Sequence, residues 1–242
     1  MLKILFSPSE GKKSGGEESS HTLLGAIDAR KDILNTYNNI VQSKDEEAIK
    51  ALFGFKKFSD CQAYILDIFS SPLMKAIERY QGVAYDYLKY NEQSQNTKEY
   101  IDKNTIIFSN LYGPIFAGDT IANYKVKQGN NIGELVPDKF YKERFSYQLD
   151  LLLSQDEILD LRAGYYDKFY KPNKAYTTLK FLKNEKVVSH WAKAYRGLVL
   201  QAIAKANIEN IEAFKKLEID GLSIHEIKTI KNKTEIVYNI TQ

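Results

Sequence analysis

What the chain has little of narrows its chemistry first. One cysteine, Cys61, among 242 residues excludes an internal disulfide, and the three histidines, His21, His190 and His225, stand too far apart for zinc or iron ligand spacing. No metal site built from protein ligands is expected, and no cofactor. No apolar run approaches the about 20 residues that a membrane span needs, and Met1 to Phe6 is too short for a secretory signal. The expected address is therefore the cytoplasm, with no membrane partner. Repeats, low-complexity tracts and linkers are also missing, so one domain over 1–242 is expected, with a helical insertion over roughly 24–88.

What is present is a core and an uneven charge. With 43% hydrophobic and 12% aromatic residues the chain has ample material to bury. Net charge is only +3, yet between Lys168 and Arg196 eight basic residues face a single acid, Glu185, which gives +7 there and leaves −4 for the rest. Tyr165, Tyr166, Phe169, Tyr170, Tyr176, Phe181, Trp191 and Tyr195 are interleaved with those cations or border them. Cations alternating with stacking surfaces are what nucleic-acid grooves use; aromatics at strand spacing inside a lysine-rich face are the plainer alternative.

The most informative stretch is Val187-Val188-Ser189-His190-Trp191-Ala192-Lys193-Ala194-Tyr195-Arg196-Gly197. It reads as a β-branched strand running into a long helix that begins near Lys193, because Ala194, Leu198, Val199, Ala202, Ile203 and Ala206 recur at three- and four-residue steps. Lys193 and Arg196 then fall in the first turn, where unpaired N–H groups already make the helix end positive. An anion docked there would turn that repulsion into attraction, so the corner reads as an anion site shared with Lys12 and Arg162. The competing reading sends both side chains into solvent or onto carboxylates of another segment.

Elsewhere the chain alternates strands with site-forming loops. Leu2 to Phe6 is a short apolar strand that empties into Ser7-Pro8-Ser9-Glu10-Gly11-Lys12. This is no P-loop, since Phe6 stands where its first glycine belongs. Residues 24–88 read as short helices without strand alternation, with Pro72 at a helix start. Within them Asp45 to Ala51, the turn at Gly54 with Lys56 and Lys57, and Ser59 to Phe69 with Ser59 as N-cap resemble a helix-hairpin-helix element gripping phosphates. Thr105 to Ser109 and Glu157 to Leu161 are strands, and the second delivers Asp160 and Arg162 at its end, where ligands of open α/β sheets collect. Val136 to Leu153 is helical, Asn207 is placed to cap Ile208 to Leu217, and a terminal hairpin turns at Lys231-Asn232-Lys233.

Together these landmarks resemble the YaaA family of bacterial peroxide-stress proteins over most of the chain. The matching pieces are Ser7-Pro8-Ser9-Glu10-Gly11-Lys12; Glu78-Arg79-Tyr80 with Gly82-Val83 and Tyr85-Asp86; Leu111-Tyr112-Gly113 with Asp119, Tyr124 and Gly129; Asp160-Leu161-Arg162; and Val187-Val188-Ser189-His190 with Lys193, Arg196 and Gly197. The resemblance implies a mixed α/β fold, with a mixed-sheet core and a helix-hairpin-helix element. It also implies a positively charged cleft, binding of double-stranded DNA or other nucleic acid, and protection from iron-driven DNA damage under peroxide. Carried onto this chain, the binding residues are Ser7, Glu10, Lys12, Tyr112, Asp119, Tyr124, Lys125, Asp160, Arg162, His190, Lys193 and Arg196, joined by Gly54, Lys56 and Lys57 of the hairpin. Phe116-Ala117 stands where the family has Arg-Pro, and Lys125 where it has arginine, so a bidentate contact is lost at that corner. An enzyme acting on a nucleotide or nucleobase, with Glu10, Lys12, Asp160, Arg162 and Lys193 around a nucleotide-like ligand, is the alternative. No residue is assigned as catalytic. With one cysteine, thiol chemistry is disfavoured.

Overall fold

The structure is a computed structural model that describes residues 1–17, 23–24 and 27–241, with the side chains of Ser189 and His190 left aside. His21 and parts of the 24–88 stretch fall outside the described residues. The strands are β1 Leu2–Phe6, β2 Gly11–Lys12, β3 Leu73–Lys75, β4 Tyr80–Gln81, β5 Thr105–Ser109, β6 Gly113–Phe116, β7 Thr120–Ala122, β8 Glu157–Asp160, β9 Tyr176–Lys183, β10 Lys186–Val187, β11 Leu222–Ile230 and β12 Lys233–Ile240. The helices are α1 Lys31–Gln42, α2 Glu46–Phe53, α3 Ala76–Arg79, α4 Val83–Leu88, α5 Gln95–Asn104, α6 Pro137–Leu152, α7 Ser189–Lys205 and α8 Ile211–Lys215.

One sheet organises the molecule, in the order β11-β12-β9-β8-β1-β5-β6, with β10 folded back on β9. β1 lies inside it and pairs parallel with β5 on one side and β8 on the other, which is why Leu2, Ile4, Leu5 and Phe6 are all buried. β9 and β12 continue the parallel run, whereas β6 and β11 close the edges antiparallel. The chain leaves β1 for β5 on one side and later returns, through α6, to β8 on the other. The carboxyl end of β1 is thus a topological switch point, where crossover connections diverge and open a crevice. The mixed α/β expectation holds, with a mainly parallel central sheet.

Several local readings need correction. α7 begins at Ser189, not near Lys193, because β10 is only two residues long and ends the extended run at Val187. A turn with Asn184 and Glu185 at positive φ folds that stub back onto β9. The 24–88 stretch contains β3 and β4, short strands held by the distant β7 and β2, so no local alternation announces them. Pro72 therefore precedes a strand rather than opening a helix. After α2 and its left-handed cap at Gly54 comes a 3-10 helix over Phe58–Tyr64 whose N-cap is Lys57, with no side-chain capping bond; the Ser59 hydroxyl donates to Asp60 instead. Asn210, not Asn207, caps α8, its Oδ1 accepting from the Ala213 N–H at 2.8 Å.

A candidate anion-binding cleft at the ends of two parallel strands

A cleft of about 410 Å³ opens where the switch point predicts. Its floor is the segment leaving β1, Phe6 to Glu10, together with Leu161 and Ala163 beyond β8; α4 and α7 supply one wall. Two bonds and two glycines assemble it. Ser7 Oγ accepts from the Ala163 N–H at 2.8 Å and the Ser7 carbonyl accepts from the Tyr85 hydroxyl at 2.9 Å, tying the β1 loop to β8 and α4. Gly82, at φ 135°, leaves room for Ser9, whose Oγ would lie 2.8 Å from a Cβ there. Gly197 permits α7 to press on α4, since a Cβ would meet the Ala84 carbonyl oxygen at 2.0 Å. That close crossing brings Lys193 and Arg196 to the cleft wall.

The cations of this wall are not equivalent. Lys193 is exposed. Arg196 is half-buried, its pKa pushed down by burial with the charge of Asp160 pulling the other way. Among the described residues neither has a hydrogen-bond or ion-pair partner. Both belong to the second and third turns of α7, so the helix-end repulsion inferred from the sequence does not act on them. His190 contributes backbone to the first turn; its side chain is outside the description.

At the other rim, Glu10 Oε2 accepts from Lys125 Nζ at 3.2 Å and Oε1 from the Gln128 N–H at 3.2 Å. Burial raises the Glu10 pKa, but the Gln128 and Lys125 bonds outweigh it and leave the carboxylate below its ordinary value. Lys12 is half-buried; Nζ donates to the carbonyls of Ser9 at 3.2 Å and Glu10 at 3.3 Å and sits 4.0 Å from the Tyr124 ring centroid and 5.3 Å from that of Tyr80. Burial first, then the neighbouring Lys125 charge, push it down to about 7, with Glu10 opposing.

Other sequence-chosen residues have structural duties. Arg162 is buried against Asp160, with Nη2 2.7 Å from Oδ2 and Nε 2.9 Å from Oδ1, donates to the Tyr166 carbonyl, and stacks on Phe108. The shared four-cation site is thus corrected: Arg162 is neutralised within its own strand end and does not line the cleft. Asp119 is buried, accepting the Phe116 and Leu24 N–H groups at 2.8 and 2.7 Å. The Tyr112 hydroxyl accepts from Ala122 N–H, and that of Tyr124 bonds Tyr80 and Ser109. Both rings are core, Tyr124 doubling as the platform under Lys12.

Lys56 and Lys57 are exposed in the turn after α2, whereas the open side of Gly54 is covered by the stem of Lys127, whose Cδ would lie 2.4 Å from a Cβ. The segment after α2 meets the cleft rim at Lys125, 5.4 Å from the Phe55 ring centroid. In the basic stretch, Tyr166, Phe169, Tyr170, Tyr176, Phe181 and Tyr195 are buried, and Lys174 donates to three carbonyls, those of Leu153, Ser154 and Asp156. Most of that aromatic spacing is therefore core. Gln128 and Tyr166 line the cleft without having been singled out as binding residues; lying in a loop and a 3-10 turn, they carry no periodic signal. No helix among the described residues is long and apolar enough to cross a membrane.

A family model described as peroxide stress protein YaaA matches residues 2–228. The chain is similar to an uncharacterized protein of Campylobacter jejuni, 41% identical over 99% of both chains. It is also similar to a UPF0246 protein of Fusobacterium nucleatum, 25% identical over 93% of this chain and 94% of that one. A UPF0246 protein of Corynebacterium efficiens is 28% identical, with 90% and 91% covered.

Proposed function

The chain belongs to the peroxide stress protein YaaA family, and from that premise we propose that it protects cells by binding nucleic acid, double-stranded DNA foremost, through phosphates held at this cleft. The observation that carries the reading is Arg196, a half-buried guanidinium with no anion on it among the described residues, beside Lys193 on the wall of a switch-point crevice. Desolvating an unpaired charge is costly unless a ligand supplies the counter-charge, and a guanidinium fork matches phosphate oxygens. Ser7 and Ser9 add hydroxyls on the floor. Contacts of this kind position a duplex without reading its sequence. Occupied DNA is then shielded from iron-driven damage.

Duplexes of two unrelated sequences, followed by fluorescence anisotropy across a salt series, test this. Equal affinities that fall steeply with salt are expected; a flat salt response, or strong preference for one sequence, contradicts the proposal. The second reading, an enzyme acting on a nucleotide, draws on the cleft's size, which suits one nucleotide rather than a duplex, and on Glu10 and Lys12, whose pKa burial pushes down to about 7, at its rim. Calorimetric titration with mononucleotides separates the two: tight binding of a free nucleotide with weak duplex binding favours the enzyme.

A further inference from the structure

The exposed edge of the main sheet carries a second proposal, independent of the cleft. β11 pairs with β12 on one side only, and among the described residues no strand covers its other edge. This nine-residue strand leaves Ile224, Ile227 and Ile230 exposed, at 39%, 45% and 71%. A long apolar edge invites another strand, and natural edges are guarded against that by lysine. Lys228 is such a guard, but Glu226 stands two residues away on the same face, 2.7 Å from it. In an antiparallel pair of identical strands, opposed side chains share a face, so a two-fold axis normal to the sheet must pass through a residue. An axis at Glu226 or Lys228 opposes like charges, and one at Thr229 sets Lys228 against Ile230. Only the axis at Ile227 opposes Glu226 to Lys228 twice and places Ile227 against its own copy.

We propose that β11 is a homodimerisation edge, pairing antiparallel with β11 of a second copy about an axis through Ile227. The register shift between Ile224 and Glu226 ends the regular ladder on one side of that centre and keeps the paired segment short. The dimer therefore forms reversibly with concentration.

Sedimentation velocity of the full chain over a concentration series reads this, using charge reversals of exposed residues. Wild type is expected to move from monomer to dimer as concentration rises. Lys228→Glu alone and Glu226→Lys alone should each stay monomeric, because each self-pairing opposes like charges. An equimolar mixture of the two should recover a dimer, since the opposed pairs become opposite again; misfolded variants would not do so. Ile227→Arg, with a melt to verify folding, should also be monomeric. A wild type that stays monomeric throughout, leaving the edge to a different occupant, overturns the proposal. So does a dimer that persists in Lys228→Glu or Ile227→Arg, or a mixture that does not pair.

Discussion

Arg196→Ala separates a ligand-binding cation from a structural one. Truncation removes an alkyl stem packed in the cleft wall and also relieves a partly desolvated, unpartnered charge. These opposing effects are each about 1 kcal/mol. The helix dipole adds nothing, since Arg196 is the eighth residue of α7, and alanine gains at most a few tenths of a kcal/mol in helix propensity. The net change should be within about 1 kcal/mol, moving the melting temperature by no more than about 4 °C for a chain of this size. Binding is different. A hydrogen-bonded charge on a phosphate contributes about 1.5–3 kcal/mol, so the Kd for duplex DNA should rise about 10- to 150-fold, and the salt slope should shrink by about 0.9 per phosphate released. A thermal melt paired with an anisotropy titration measures both. If the variant melts far lower while its Kd per folded molecule and salt slope are unchanged, Arg196 is a structural residue and the reasoning fails.

Three further outcomes are expected. Lys12 is depressed to about 7 from its ordinary 10.5, so above pH 7 the unfolded chain holds a proton that the folded chain lacks. Stability relative to Lys12→Met should therefore rise between pH 7 and 9 in parallel denaturant titrations, and a flat difference would mean that Lys12 stays charged. Arg162→Met strands a buried Asp160 and should cost about 3–5 kcal/mol in urea unfolding, where a cost below about 1 kcal/mol would show the pair to be dispensable. Cys61 is fully buried and its thiol pKa is raised, first by burial; Cys61→Ser should keep peroxide survival in cells, and lost survival at normal expression would make the thiol functional.

Much of the scaffold was legible because its signals are local. Thr105 to Ser109 is β-branched and apolar and folds as β5 over that span; Pro137 opens α6 one residue inside the expected boundary; Asn232 sits in the expected terminal turn. What escaped depends on distant partners. β3 and β4 exist only through β7 and β2, and the start of α7 is set by a two-residue strand that two adjacent valines disguise as a longer one. The candidate cleft was half legible. Ser7, Glu10, Lys193 and Arg196 do converge on one cleft, with Lys12 at its rim. Arg162 was misplaced because sequence spacing cannot distinguish a strand-end cation offered to a ligand from one folded back onto Asp160 two residues earlier. Around Gly54 the turn was legible, but not the Lys127 stem that arrives from far along the chain to cover it.

Amide hydrogen exchange with and without a saturating duplex tests most directly whether the cleft is where phosphates dock. Protection is expected in residues 7–12, in 161–163 and in the first three turns of α7, with little change over 55–64 or on the lysine-rich strand at 176–183. Protection of either of those last two surfaces, with the cleft segments exchanging as in the free protein, would contradict the account.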